Sequence, residues 1–329
     1  MTTAPSNGRA LLIAPRFFGY ERDIREQLER DGWHVDMLPD RPFDTAALKA
    51  FTRVLPTFTA PAANRFYAKA LEQLAPARYD LILVIQGECI FEPTLRMLRT
   101  AFPAARLVFY TWDSVSNKPR SKKQLPLYDE CFSFDELDAA SCSIHFRPLF
   151  FTRGFERTAP SSFDYDVSFV GTIHSDRYRI VQRIARQLND PSRAFWYLYL
   201  QAPWMYTARR HFTSTVDGAP RSEFRFVPLA RSAVQDIFLR SRATLDIEHP
   251  DQRGLTMRTI EALGSQTKLI TTNATVSAYD FYDRHNIAIV DRRKPRLPAG
   301  FLTTPFRPVP EAIHQRYRLE TWVREVCGT

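Results

Sequence analysis

Two oppositely charged residues at helical spacing carry the strongest chemical signal in the chain. Arg258 and Glu261 lie three positions apart in the run Arg253–Asn273, and residues at that spacing project from one side of a helix. The predicted helix start attracts phosphate, because its backbone N–H groups and the helix dipole point there. An arginine can bind a diphosphate through two hydrogen bonds, and a carboxylate can accept from both ribose hydroxyls. The pair suits a nucleoside diphosphate; the simpler alternative is a surface helix on which the two side chains pair with each other.

The run around this pair predicts a loop, a short helix and a buried strand. Gly254 gives the backbone freedom before the helix, and Met257, Ile260 and Leu263 recur every three residues as an apolar face. Gly264 follows the last apolar position, where glycine often takes the left-handed conformation that ends a helix. We therefore expect a helix that packs its apolar face on a sheet and ends at this glycine.

Further phosphate ligands are predicted at this helix start and at a second strand-to-helix turn. Thr256 lies at the helix start, and the backbone of Gly171 and Thr172 and the side chain of His174 follow a predicted strand closely enough to reach phosphate. Arg177, in the next helix, is a further candidate. For any one arginine in so arginine-rich a chain, a solvated helix residue is the simpler interpretation. Single histidines are also more often ordinary hydrogen-bonding residues than catalysts.

Carboxylates follow two strands in the first half of the chain. Asp113 comes directly after the predicted strand Arg106–Trp112, and Glu88 comes just after the continuous apolar strand Tyr79–Gln86. Open α/β sheets bind ligands at the carboxyl ends of their strands, so both side chains can act as a base on a hydroxyl group. Asp113 is the preferred base, with Glu88 and Glu21 as weaker rivals. The alternative for Asp113 is to cap the turn that follows it.

Four segments, taken in order, resemble a known family. They are Phe17–Glu21, Thr111–Asp113, Asp166–Gly171, and Gly254–Gly264 followed by Lys268–Asn273. Together they resemble bacterial glycosyltransferases of the GT-B architecture, in the branch that builds capsule and lipopolysaccharide sugars and includes the spore-maturation type. The order and spacing of these segments cover nearly the whole chain.

The resemblance implies a fold, a donor and several site residues. The fold class is α/β, with two Rossmann-like domains facing each other across a cleft that holds a nucleotide-sugar donor. Glu261 would bind the donor's ribose, and the loop containing Gly19 would face the cleft. Such enzymes generally need no metal and use no cofactor besides the nucleotide-sugar substrate. Many retaining relatives carry a second glutamate eight positions before the first, and here that position is Arg253. The stereochemical outcome therefore stays open.

The length and pattern of the chain predict two domains. A chain of 329 residues is about twice a common domain, and a composition shift near residues 147–162 separates residues 1–150, the acceptor side, from 151–329, the donor side. Both halves open with a strand, a turn and a helix, which favours parallel sheets. The first turn holds only one glycine, so it does not match the dinucleotide fingerprint. By analogy with GT-B relatives, the terminal helix would cross back to the first domain.

Charge and cysteine content indicate the kind of partner and the cellular compartment to expect. The net charge of +9 and the sequence pI near 9.5 favour anionic partners, and charge alone does not choose among nucleotide sugars, phosphorylated acceptors, acidic lipids and nucleic acid. Four scattered cysteines form neither a disulfide framework nor a zinc site, which fits a reducing cytoplasm.

No apolar run is long enough to span a bilayer, and residues 1–8 predict a short disordered leader. A polar stretch, Ser114–Gln124, predicts a mobile basic loop.

Two other motifs have competing interpretations. Asp164, Tyr165 and Asp166 mimic a paired-aspartate metal signature, but they precede a buried strand, so we expect no metal there. The segment Ala194–Phe212 interleaves aromatic residues with arginines, a composition that suits peripheral contact with an acidic membrane and, equally, an ordinary core strand and helix. A lipid-linked glycan acceptor would require such contact.

Glycosyl transfer to a bacterial surface glycan is thus the leading expectation. A nucleotide-sugar epimerase of the same fold would need additional acid and base residues around the sugar. A nucleic-acid-binding protein would place basic residues and stacking aromatics on one sheet face, and no recognised motif does so; we expect no nucleic-acid partner. A catalytically idle scaffold of this fold is a further alternative, because the second glutamate is missing.

Overall fold

The computed structural model describes residues 8–42, 56–115, 119–157, 162–213, 215–216, 218–250 and 252–328. The chain divides into two compact units, Met1–Pro148 with Leu319–Thr329 and Leu149–Arg318. Residues 1–7 of the expected leader and residues 116–118 of the expected basic loop lie outside the described residues. Gly8, the last residue assigned to the leader, instead begins a strand, and Pro119–Gln124 of the expected loop is a helix.

Unit 1 is built on a parallel sheet. In the described part of the chain its strand order is β2-β1-β3-β4-β5-β6. The strands are β1 (Gly8–Ala14), β2 (Trp33–Pro39), β3 (Leu81–Ile85), β4 (Arg106–Thr111), β5 (Glu130–Ser133) and β6 (His145–Phe146). The helices are α1 (Tyr20–Arg30), α2 (Pro56–Leu74), α3 (Glu92–Ala101), α4 (Pro119–Gln124), α5 (Glu136–Cys142) and, from the end of the chain, α11 (Leu319–Cys327). Every residue of β3 is buried, as in a strand covered on both faces.

The final helix of the chain supplies core to unit 1. Trp322 of α11 is fully buried, and its ring lies 4.7 Å from that of Tyr110 in β4. The carboxylate of Glu325 pairs with buried Arg147 at 2.5 Å. Unit 1 is therefore assembled from two segments that are separated in sequence by the whole of unit 2.

Unit 2 is a second parallel sheet, with the order β12-β11-β10-β7-β8-β9 in the described residues. Its strands are β7 (Tyr165–Thr172), β8 (Ala194–Tyr199), β9 (Phe224–Arg225), β10 (Ser241–Asp246), β11 (Lys268–Thr271) and β12 (Ile287–Ile289). Its helices are α6 (Arg177–Ala185), α7 (Pro203–Phe212), α8 (Arg231–Leu239), α9 (Met257–Gly264) and α10 (Glu311–Arg316).

Each sheet reverses its strand order once. In unit 1 the order reverses between β1 and β3, and in unit 2 it reverses between β7 and β10. At such a point the loops leave the sheet in opposite directions and open a crevice at the carboxyl ends of the strands. The loops after these four strands are therefore where each unit is expected to bind a ligand.

Helix α9 does not end as the sequence predicted. Gly264 is the last helical residue, and the left-handed conformation falls two positions later, at Gln266 with φ 48°. A Cβ atom on Gly264 would lie 2.5 Å from the ring of Phe151. The predicted cap at Gly264 is thus wrong: this glycine is required because an aromatic side chain packs directly against the backbone.

No helix in the described ranges combines the length and the apolar character that crossing a bilayer requires.

Candidate functional site

The turn after β7 contains a buried arginine. Arg177, the first residue of α6, donates from Nε to the carbonyl of Ile247 (2.7 Å) and from Nη1 to that of Thr172 (2.9 Å). Burial and the nearby charge of Arg258 lower the pKa of Arg177 to about 10, so it stays protonated at neutral pH. Both of these hydrogen-bond partners are neutral carbonyls, and the nearby carboxylates of Asp246 and Glu248 offset part of its charge. The sequence ranked this residue as a solvated helix position, whereas the structure makes it part of the β7–β10 crevice.

Arg258 is held at the same place by a buried carboxylate. Its Nη1 donates to Oδ1 of Asp246 (3.1 Å), and its Nη2 donates to the carbonyl of Val170 (2.6 Å). Asp246 ends β10 fully buried, and its Oδ2 also accepts from the hydroxyls of Thr256 and Thr259, each at 2.7 Å. The alternative interpretation, a surface helix on which Arg258 and Glu261 pair with each other, is therefore not what the structure shows. Arg258 is instead fixed in direction at the start of α9.

The loop before α9 is tied to the turn that follows β11. The Nδ2 atom of Asn273 donates to the carbonyl of Arg253 (3.1 Å), and the hydroxyl of Thr275 donates to the same carbonyl (2.9 Å). Gly254 is buried within this loop, and Thr256 caps α9 by accepting from the Thr259 N–H (3.3 Å). The loop is thus held at both ends, which fixes where α9 begins.

Glu261 lies one turn further along α9, and the helix packing buries it. Its assignment to a ribose stays a prediction.

Gly171 allows the β7 loop to approach Arg258. A Cβ atom on Gly171 would lie 2.9 Å from the ring of Phe169 and 3.5 Å from Nη2 of Arg258. Three of the residues predicted to bind phosphate lie beside these arginines. Gly171 is next to Arg258, and the Thr172 carbonyl accepts from Arg177. Thr256 shares the Asp246 carboxylate with Arg258.

Two histidines that the sequence weighted lightly lie together. The rings of His174 and His249 are 5.4 Å apart, and Nδ1 of His174 lies 3.1 Å from the hydroxyl of Ser175. Burial, with the neighbouring charge of Arg177, lowers the pKa of His174 to about 4. His174 is therefore neutral at neutral pH, and it would serve a ligand through a hydrogen bond and not through charge.

Sequence reasoning missed two more arginines of this region. Arg209 of α7 donates to the carbonyl of Ile173. Arg292 binds Asp176 through Nη2 (2.8 Å) and Glu248 through Nη1 (2.6 Å). Burial of Glu248 raises its pKa. No local sequence pattern indicates either arginine, because the residues that each one contacts lie far away in the sequence.

In unit 1, Asp113 lies beside the crevice between β1 and β3. Its Oδ1 accepts from the Ser114 N–H (3.0 Å), so it does cap the following turn, and Nε2 of Gln86 lies 3.4 Å from its Oδ2. Gln86 also accepts from the Trp112 N–H (3.2 Å) and has φ 69°, a conformation rare for a residue with a side chain. The sequence did not single out Gln86.

Glu88 and Gly19 occupy the same edge of unit 1. Glu88 pairs with Arg41 (3.4 Å), which also lies 3.5 Å from Asp40. Gly19, with φ 81°, precedes α1. Glu88 is thus engaged in a charge cluster, and its assignment as a base stays a prediction.

The paired aspartates at the start of β7 are bound by arginines. Asp164 pairs with Arg240, and Asp166 pairs with Arg193 and Arg242. Within the described ranges, no group of three or more histidine, cysteine, aspartate or glutamate side chains is arranged to hold a metal ion.

Comparison with known proteins places the fold. No protein-family model matches the chain, and no curated protein matches it in sequence. Among solved structures, HepE from Anabaena in complex with UDP and glucose is 11% identical, with a TM-score of 0.60 and 98% of each chain covered. OtsA in its apo form is 10% identical, with a TM-score of 0.64 and 98% of each chain covered. A glycosyltransferase from Rickettsia africae is 11% identical, with a TM-score of 0.58, over 99% of this chain and 98% of that chain.

These likenesses span the whole length of the chain and define its class of fold. The protein has the α/β GT-B fold, with a parallel sheet in each of two Rossmann-like units, and the predicted fold class is confirmed. The likeness at this level of identity concerns the fold alone.

Proposed function

We propose that this protein is a glycosyltransferase that moves a sugar from a nucleotide-sugar donor to a glycan acceptor in bacterial surface-polysaccharide assembly. The observation that carries the proposal is the buried Arg177 with Arg258 beside it at the β7–β10 crevice. A buried charge that its neighbours offset only in part is costly. An anion bound in this crevice would offset that cost, and the donor's diphosphate supplies one.

The donor would lie along the start of α9. Arg177, Arg258 and Arg209 would bind the diphosphate, with Thr256, the backbone of Gly171 and Thr172, and neutral His174 as further hydrogen-bonding groups. Glu261 would accept both ribose hydroxyls. The solved complexes of HepE with UDP and with UDP-glucose support a nucleotide-sugar donor.

The transfer would need one base and a stabilised leaving group. The acceptor oxygen forms a bond to the anomeric carbon, and the bond from that carbon to the diphosphate oxygen breaks, with its electron pair leaving on the diphosphate. The acceptor's hydroxyl proton would pass to Asp113, with Glu88 as the alternative base. Guanidinium groups supply the positive charge that the departing diphosphate requires, so we propose a reaction that needs neither metal nor cofactor.

The acceptor would be a glycan or a lipid-linked glycan, reached at the inner face of the cytoplasmic membrane. Helix α7 supports this, because Trp204 is 68% exposed and Phe212 is 86% exposed, with Arg210 and His211 exposed beside them. Exposed aromatic rings beside cations suit the headgroup region of an acidic bilayer.

A nucleotide screen tests the proposal directly. Thermal unfolding of the parent chain would be followed with UDP-, GDP-, CMP- and dTDP-sugars, because a ligand that binds only the folded state raises the unfolding temperature. We expect one nucleotide class to raise it. A flat response to all four would overturn the donor assignment. Binding without any transfer to surface-glycan fragments would favour the idle scaffold.

A further inference from the structure

Three aromatic rings lie together at the carboxyl edge of the unit 1 sheet. Phe17 is 44% exposed and Phe18 is 60% exposed, and their rings are 4.7 Å apart. The ring of Phe17 also lies 6.1 Å from that of Trp112, which follows β4. We call Phe17, Phe18 and Trp112 the aromatic platform. Trp112 is half-buried beside them. Large rings normally avoid water, so the exposure of Phe17 and Phe18 indicates a surface that is covered when the protein functions.

The backbone holds Phe18 in this exposed position. Phe18 has φ 51°, and the next residue, Gly19, has φ 81°. Two left-handed residues in succession turn the chain sharply, and a bulky residue rarely adopts this conformation. The turn is fixed by the Phe17 N–H, which donates to the buried carboxylate of Glu21 (3.1 Å), and by the Tyr20 N–H, which donates to the Phe17 carbonyl (3.1 Å). Because the Phe18 ring is exposed, packing of this ring in the core does not explain the unusual backbone conformation of Phe18.

Polar groups border the platform next to Trp112. Asp113 follows Trp112 directly, and the side-chain amide of Gln86 contacts the Trp112 N–H (3.2 Å) and the Asp113 carboxylate (3.4 Å). The edge thus combines apolar ring faces with one carboxylate and one amide. This mixture matches a sugar ring, which has a C–H face and a rim of hydroxyl groups.

We propose that the aromatic platform binds a pyranose ring of the glycan acceptor; naming that sugar an acceptor rests on the proposed function, whereas its binding does not. The electron-rich faces of Phe17, Phe18 and Trp112 attract the polarised C–H groups of one face of the sugar. The sugar's hydroxyls donate to Asp113 and exchange hydrogen bonds with Gln86. An acidic lipid headgroup suits this edge poorly, because the Asp113 carboxylate repels it.

Saturation-transfer NMR on the full chain tests the platform, with the methyl pyranosides of glucose, galactose, mannose, N-acetylglucosamine and rhamnose as probes. Stacking predicts the strongest transfer to the C–H protons on one ring face. Phe18→Gly removes the ring but adopts the same φ without strain, and it should weaken binding roughly two- to tenfold, the loss expected for one aromatic contact. Val227→Ala removes an exposed apolar side chain from unit 2 and should leave binding unchanged.

The proposal is overturned if no pyranoside shows transfer or if Phe18→Gly binds like the parent. It is also overturned if Phe18→Gly converts a dimer to a monomer in light scattering, because the platform would then be a contact between copies. Calorimetry with UDP on the same samples separates the two proposals. If the protein binds UDP but no pyranoside, only the proposal for the aromatic platform is contradicted. If it binds a pyranoside but no UDP, the proposed transferase function is contradicted and the proposal for the platform is retained.

Discussion

At the scale of single residues, the unit 2 site depends on how guanidinium charge is balanced. Arg292 is neutralised by Asp176 and Glu248, and Arg258 by Asp246, whereas Arg177 and Arg209 donate to carbonyl oxygens. Carbonyl groups orient a guanidinium without cancelling its charge. The positive potential should therefore be concentrated at the β7–α6 turn and not spread evenly over the arginines.

The ribose and diphosphate assignments can be separated by two variants. Glu261→Ala removes charge-assisted hydrogen bonds worth about 1.5–3 kcal/mol, so nucleotide affinity should fall roughly ten- to a hundredfold. Arg258→Ala should weaken a nucleoside diphosphate much more than the bare nucleoside, because its expected partner is the diphosphate. Calorimetry on purified variants, comparing nucleoside with nucleoside diphosphate, measures both effects. Parent-like binding by both variants would remove the donor assignment.

His174 makes a specific contribution to the pH dependence of stability. Its folded pKa of about 4 lies below the ordinary value of 6.5, so the unfolded chain binds more protons between these values and stability falls as the pH drops through that window. Relative to His174→Gln, the parent should lose on the order of 1 kcal/mol between pH 7 and 5, allowing for solvent screening. Urea unfolding at both pH values measures the difference. Parallel loss in the two proteins would contradict the low pKa.

At the scale of elements, the start of α9 is fixed by one carboxylate. Asp246 joins β10 to α9 through Thr256, Thr259 and Arg258, so a change there should affect stability and nucleotide binding together. Asp246→Asn breaks a buried ion pair, and we expect unfolding in urea to show a loss of about 3–5 kcal/mol. The control is Asp164→Asn, which breaks the exposed pair with Arg240 and should cost less than about 1 kcal/mol. Equal losses would mean that Asp246 does not organise the element.

Helix α7 is predicted to bring the protein to acidic bilayers. The parent should float with vesicles containing acidic lipid at low salt and dissociate at high salt, because headgroup attraction is screened. Replacing Trp204 and Phe212 by serine should lower the partition coefficient by roughly tenfold or more, since each ring buries apolar area worth about 1.5–3 kcal/mol.

Leu137→Ser, which removes an exposed apolar residue from unit 1, is the matched control for this helix. A parent chain that fails to float at low salt would rule out the contact.

At the scale of the whole molecule, periodicity predicted the class of fold better than the site. Continuous apolar runs such as β3 are typical of strands covered on both faces, and their alternation with helices favoured parallel sheets. Asp246 escaped notice because a single acidic residue at the end of a buried strand has no periodic signature. Gln86 and Arg292 were missed because their partners lie far away in sequence. The cap assigned to Gly264 was wrong because its packing partner, Phe151, is 113 positions earlier in the chain.

Trp322 should stabilise unit 1 and leave unit 2 unaffected. Trp322→Ala removes a fully buried ring from unit 1, which typically costs about 3–5 kcal/mol. Hydrogen exchange should therefore accelerate across β1, β3 and β4, while β7 and β10 keep their protection. Trp204→Ala, at an exposed position, should change neither. Faster exchange in both units would show that they unfold together.

Because unit 1 is built from two segments of the chain, the order in which the two units fold during synthesis is also affected. Domains usually fold from the N-terminus as the ribosome releases them. Here unit 1 leaves the ribosome first but lacks Trp322 until residues 149–318 have followed. Unit 2 is continuous in sequence, so it can complete its core before α11, the last helix of unit 1, has been synthesised. A chain that ends at Arg318 and is released from the ribosome should thus present a protease-resistant second unit and a first unit that is still open to chaperones.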